Sequence, residues 1–273
     1  MGKRPLAVLA SVLTAGLLLT ACTSGQSSGN GDGSGGDQNR EITYLANTEP
    51  PVWDGQRVPS LNANSVNSSI FDTITSQADD GTYHPGLATD WKISEDGLTY
   101  TFTLREGVTF HDGTPFNAEV LKQNLDRPLN EPDLATVSSG IAENRVIDDR
   151  TLEVKLSRPN AGLIHAFSTP HWPVYSGKVL SEHTPAELSA DPTLSIGTGP
   201  FKVAEYSRGS SLVLEKNEDY NWAPETAGHD GPAYLDEVNI QFVPEPQARI
   251  GALNSGQADA VDQVPPLNIN EVE

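Results

Sequence analysis

Cys22 is the only thiol in a chain of 273 residues, so any chemistry that needs a thiolate acceptor has one place to occur. No intrachain disulfide is possible, and the fold must rest on a hydrophobic core. Other reactive constellations are missing when sought one by one. The chain contains no G-x-S-x-G, no H-E-x-x-H and no C-x-x-C. His84, His111, His165, His171, His183 and His229 lack the three- or four-residue spacing of helix-borne metal ligands. Carboxylate pairs are frequent, but 37 acidic residues against 17 basic ones produce them by chance. His111-Asp112-Gly113 reads as a turn and not a catalytic pair. Gly197-Thr198-Gly199-Pro200 lacks the lysine and the strand-to-helix context of a phosphate loop, and suits a tight crossing against another backbone. These absences nominate no residue for catalysis, and no cofactor and no metal are expected.

What surrounds Cys22 gives it a role. Lys3 and Arg4 precede an apolar run from Leu6 to Leu19, too short to span a bilayer comfortably and followed by small residues. Leu19-Thr20-Ala21-Cys22 resembles the lipobox of bacterial lipoproteins, in which the cysteine takes a diacylglyceryl thioether and becomes the first residue. The competing reading is an ordinary secretory signal with an incidental cysteine. Residues 1–21 are thus expected to be a signal peptide. Residues 22–40 are expected to be a lipidated cysteine with a Ser/Gly tether reaching about 20–25 Å from the membrane. A net charge of −20 argues against nucleic acid as a partner and against a surface that itself adheres to anionic lipid.

The body predicted from residue 41 onward mixes α and β signals. Ile42 to Ala46 suits a short strand. Val66, Ile70 and Ile74 are spaced by four, which predicts a helix over 65–76. Alternation at Leu98, Tyr100, Phe102 and Leu104, and again at Leu152, Val154 and Leu156, predicts two strands. Asn117 is placed to cap a helix carrying Val120, Leu121 and Leu125. Residues 201–206 and 211–216 read as a hairpin around Arg208-Gly209, and 237–243 as a further strand. A helix over 246–255 ends at Gly256, and 258–264 reads as a strand. Trp91 is expected to be a core plug.

Three segments then resemble one family. Residues 86–113, from Gly86-Leu87-Ala88-Thr89-Asp90-Trp91 to His111-Asp112-Gly113, residues 197–222 and residues 234–261 match, in order and interval, landmarks of the family 5 extracytoplasmic solute-binding proteins. These are the dipeptide-, oligopeptide- and nickel-type receptors of ABC importers. The resemblance implies an α/β fold: lobe I of a type II periplasmic-binding-protein-like receptor, with an extra subdomain over about 60–190. Lobe I would occupy 41–258, and 259–273 would begin the crossing to a second lobe absent from this sequence. The chain is therefore expected to be a fragment or the product of a truncated gene. It also implies capture of a peptide or similar small solute outside the cell, delivery to ABC permease subunits, and anchoring to the membrane through Cys22. The alternative is a surface lipoprotein with no transport role, or a non-functional remnant. In the family the loop after the first strand reaches the cleft, so Asn47, Thr48, Glu49 and Trp53 are the expected ligand-binding residues. Trp53 would stack on ligand and Glu49 would meet a ligand ammonium; the competing reading is a surface loop stiffened by Pro50 and Pro51. His171 to Tyr175 is a weaker candidate that packing explains equally well.

Overall fold

A computed structural model describes residues 40–57, 61–131, 134 and 140–272. Cys22 and the tether, and with them the expected signal peptide, lie outside the described residues. Two sheets dominate.

The first sheet has the order β11-β1-β10-β9-β8. It is built from β1 (Glu41–Ala46), β8 (Phe201–Ser207), β9 (Ser211–Lys216), β10 (Glu237–Phe242) and β11 (Ala260–Val261). β1 runs parallel to both β10 and β11, while β10, β9 and β8 are antiparallel in turn. The predicted hairpin around Arg208-Gly209 is present, with Gly209 at φ 69°, a region open to glycine at little cost. The strand expected over 258–264 is shorter than its apolar pattern suggested. The regular pairing stops after Val261; Asp262 still donates its N–H to Leu45 O at 3.1 Å, and Gln263 takes φ 46°, which ends the strand.

The second sheet, β4-β5-β7-β6, consists of β4 (Ala88–Ile93), β5 (Thr99–Leu104), β6 (Ile141–Asp148) and β7 (Thr151–Leu156), all antiparallel. The period-two alternation works as expected. Tyr100, Phe102 and Leu104 face one core together with Leu152, Val154 and Leu156, and all six are essentially inaccessible. Helix α2 (Ala118–Asn130) lies over this face and buries Leu121 and Leu125. Each such leucine contributes roughly 2 kcal/mol of burial. Its start is the one expected: the Asn117 side chain accepts from the Val120 N–H at 3.0 Å. Trp91 is only partly buried, packed against the rim of this core. Trp172, Val174 and Tyr175 are buried, so the 171–175 stretch belongs to packing.

A second apolar cluster, with Val66, Phe71, Tyr175, Leu212, Leu214 and Ile240, lies against the first sheet. Helix α1 (Leu61–Ile70) packs near β8, and a two-stranded ribbon, β2 (Thr75–Gln77) with β3 (Tyr83–Pro85), leads into β4. The helix predicted to reach residue 76 ends at Ile70. The Ile70 carbonyl takes the Gly199 N–H at 2.9 Å, and the Asp72 carboxylate is drawn into bonds with a distant loop, so the helical ladder cannot continue. Short helices α3 (Leu163–Phe167), α4 (Gly177–Glu182) and α5 (Pro185–Ala190) follow β7, and α6 (Pro246–Asn254) joins β10 to β11. As predicted, Gly256 follows α6 with φ 70°. Among the described residues no helix is long and apolar enough to cross a membrane.

Candidate functional site

The carboxyl ends of β1, β10 and β11 lie side by side, and the loop 47–57 leaves from there. Parallel strands end their ladders on one edge, which leaves backbone groups free to accept other partners. Asn47 is spent on this edge. Its N–H donates to Asp262 Oδ1 at 2.8 Å and its side-chain amide donates to Gln263 Oε1 at 2.9 Å. These bonds fix the exit of the first strand to the segment leaving β11.

Beyond Asn47 the loop forms one wall of an open concavity of about 570 Å³, with Thr48, Glu49, Val52 and Trp53 on one side and Ser189, Tyr206 and Arg208 on the other. Pro50 and Pro51 fix φ through the middle of the loop, which lowers the entropy lost on ordering it. Glu49 is engaged at both oxygens. Tyr206 donates its hydroxyl to Oε1, and the Gly209 N–H donates to Oε2 at 3.0 Å. Burial raises the Tyr206 phenol, and its bond to the Glu49 carboxylate raises it further, so the hydroxyl stays protonated as a donor.

Trp53 departs from its expected role. It is 4 % exposed, with its ring edge-on to Tyr206 at 5.5 Å and tilted on Phe242 at 6.4 Å. Its indole N–H donates to the Tyr206 hydroxyl at 3.4 Å, and its backbone N–H donates to Ser189 O at 3.0 Å. No broad face is left for a stacked ligand; the ring is a buttress that holds Tyr206, and through it Glu49. The physical reason is that apolar area beside a sheet end is more stable against Phe242 than in water.

A second group, unnoticed in the sequence, anchors the far end of the loop. Asp54 is fully buried and accepts from Arg127 Nη2 of α2 at 2.8 Å, with Arg57 Nε at 3.5 Å. Arg127 also donates to Gln56 Oε1 at 3.2 Å, and Arg57 pairs with Glu131 at 2.8 Å. Burial works against the Arg127 cation, but Asp54 and Glu131 more than offset it and hold the guanidinium above its ordinary range. The Tyr175 hydroxyl accepts the Gly55 N–H at 3.0 Å. Asp54 is three residues from a proline pair and 73 from its partner, so no local spacing could have flagged the pair. The loop is thereby clamped at Asn47 and at Asp54, with Thr48 and Glu49 between.

The concavity holds hydrogen-bonding groups, aromatic edges and one exposed guanidinium, Arg208, but no nucleophile poised by a base. Among the described residues no cluster of histidine and carboxylate side chains is arranged to hold a metal ion. Such a surface can bind and orient a polar solute.

The two-sheet lobe, with its mixed first sheet and a loop projecting from its carboxyl edge, is that of periplasmic binding proteins of the peptide-receptor class. The chain belongs to the bacterial extracellular solute-binding proteins, family 5, whose sequence pattern (family 5 Middle) matches residues 82–273. It is 31 % identical over 182 residues to the glutathione-binding protein GsiB of Escherichia coli K12, covering 66 % of this chain and 33 % of that relative. Solved structures agree. The binding protein AgaA of A. tumefaciens R10, in complex with agropinic acid, superposes with a TM-score of 0.74 at 27 % identity, over 85 % of this chain and 45 % of the other. The periplasmic binding protein DppA of Helicobacter pylori, in complex with the peptide STSA, gives 0.69 at 26 %, over 81 % and 47 %. The chain thus spans about a third of the curated relatives it matches and just under half of the solved ones.

Proposed function

We propose that this chain is the substrate-binding component of an ABC importer, capturing peptides or a similar small solute outside the cell and handing it to membrane permease subunits. The observation that carries the reading is the family match over residues 82–273, joined to a lobe that superposes on a peptide-bound DppA. Thr48 and Glu49 are the ligand-facing residues of the loop, Asn47 sets its exit, and Trp53 supports it from beneath. In this reading residues 41–258 form lobe I, with the second sheet inside an inserted subdomain of about 60–190, and 259–273 begin the crossing to a second lobe. Cys22 carries the lipid anchor, after removal of residues 1–21, and 22–40 act as tether.

The test is uptake. Cells lacking the gene should import a labelled di- or tripeptide more slowly than cells that carry it. Unchanged uptake across a panel of short peptides, glutathione included, would overturn the transport reading and favour a surface lipoprotein with no transport role.

A further inference from the structure

A second concavity, of about 310 Å³, opens where the loop after α1 meets the segment following β9. Phe71, Pro170, Pro200 and Ala223 give it apolar walls, and Asp72, Tyr220 and His229 are among its polar groups, with Ser68, Thr73 and Ser168. It shares no lining residue with the concavity beside loop 47–57.

Asp72 is the chemical centre. Its Oδ1 accepts the Tyr220 hydroxyl at 2.8 Å. Its Oδ2 accepts the Thr198 hydroxyl at 2.8 Å and the Trp222 indole N–H at 2.9 Å. All three donors are neutral. Among the described residues Asp72 forms no ion pair; Arg105 acts on it only through space, its own Nε–H being donated to Gly86 O at 3.0 Å. Two donors occupy Oδ2, but only one occupies Oδ1, which leaves that oxygen an open acceptor position. His229 Nδ1, in the wall of the same cavity, is enclosed and has no hydrogen-bond partner among the described residues. The site therefore holds a carboxylate with no directly paired cation and an unmet imidazole nitrogen, in a partly apolar cavity on a chain of net charge −20.

We propose that this cavity is a binding site for a small primary ammonium carrying a short apolar group. The ammonium donates to Asp72 Oδ1 and its tail lies against Phe71, Pro170 and Ala223. A cation is favoured over a neutral donor because it supplies the counter-charge that the three neutral donors lack. The volume sits at the small end of ligand cavities, which restricts the tail to a few carbons. Burial already raises the Asp72 carboxyl to about 6, against the pull of its three donors, so a bound cation gains most where Asp72 is ionised. Tyr220, Arg105 and His229 are the other titratable groups that face it or share its cavity.

The experiment is calorimetric titration of the full chain at pH 7.5 with n-butylammonium chloride, with tetramethylammonium chloride as the cation that has no N–H to donate. Butylammonium should bind with a Kd of about a millimolar or below, and tetramethylammonium at least tenfold more weakly. Asp72→Asn can keep the three structural bonds, its oxygen accepting from Thr198 and Trp222 and its nitrogen donating to Tyr220, yet should lose at least tenfold in affinity. Ala227→Phe, at an exposed position on the cavity lining, should block entry without touching the carboxylate and should leave the melting temperature unchanged. Lowering the pH to 5 should weaken binding about tenfold as Asp72 takes up a proton. Absence of butylammonium binding at pH 7.5 would overturn the proposal, as would equal affinity in either variant or equal binding of tetramethylammonium.

Discussion

Arg127 Nη2 donates to Asp54 Oδ2 at 2.8 Å across 73 residues of sequence, and that bond ties the loop leaving the first sheet to the helix covering the second. Asp54 is wholly buried and Arg127 is 8 % exposed, so removing one partner leaves a charge in a poor solvent. Arg127→Met is therefore expected to cost about 3 kcal/mol in denaturant unfolding, moderated because Arg57 remains 3.5 Å from Asp54. Asp54→Asn combined with Arg127→Met should cost less than the two single changes added together. Strict additivity in that double-mutant cycle would show that the two groups do not depend on one another.

Two partly buried titrating groups meet the same loop and oppose one another in acid. His111 donates Nε2–H to Gly199 O at 3.0 Å, and burial lowers it to about 4; Asp72 binds Thr198 and is raised to about 6. Between about 4 and 6.5 the unfolded chain binds a proton at His111 that the fold refuses, so His111 makes stability fall as pH falls. Between 3.8 and about 6 the fold binds a proton at Asp72 that the unfolded chain releases, so Asp72 makes stability rise as pH falls. Each acts with a slope of up to about 1.4 kcal/mol per pH unit. His111→Asn should expose the Asp72 slope, with stability improving from pH 6 to 4.5, and Asp72→Asn should expose the reverse. Identical pH profiles for the two variants would refute this opposition.

Gly197 and Gly199 sit where a side chain has no room. A Cβ at 197 would lie 2.2 Å from the Ile70 carbonyl oxygen, and one at 199 would lie 2.6 Å from the Ile70 carbonyl carbon. These contacts are with backbone, which cannot swing aside. Gly199→Ala should destabilise by about 3 kcal/mol, whereas Gly251→Ala, which meets nothing within 4 Å, should be neutral or slightly stabilising. A comparable melting temperature for both would be incompatible with the close crossing.

Trp53 and Glu49 should separate by readout. Trp53→Ala removes a ring that is 4 % exposed and should cost about 3–4 kcal/mol of stability. Glu49→Gln should cost little stability and should change peptide binding measured by calorimetry. Tyr206→Phe removes the hydroxyl shared by Glu49 and Trp53, and should affect both measurements. A Trp53→Ala protein with native stability would restore this ring to the ligand surface.

Cys22 is the sole thiol available for acylation. Cys22→Ser should give a protein with no lipid mass increment, recovered unprocessed or released from the cell. A serine variant that still carried lipid and sedimented with membranes would contradict the anchor.

The strands and the capped helix were legible because their causes are local. Alternation at Tyr100, Phe102 and Leu104 puts three side chains on one face wherever the strand lies, and Asn117 caps its helix from three residues away. The three ordered landmarks, 86–113, 197–222 and 234–261, likewise lay open in the chain and led to the family. The tertiary structure alone decided where α1 stops and what Trp53 does. A period-four pattern through Ile74 could not reveal that the Ile70 carbonyl would meet Gly199, more than a hundred residues away. Nor could the loop 47–54 reveal that Tyr206 would hold both Glu49 and Trp53, because that contact exists only once the β8–β9 hairpin closes over it. Local spacing determines which faces are apolar, while buried hydrogen bonds between distant segments depend on chain crossings that no spacing records.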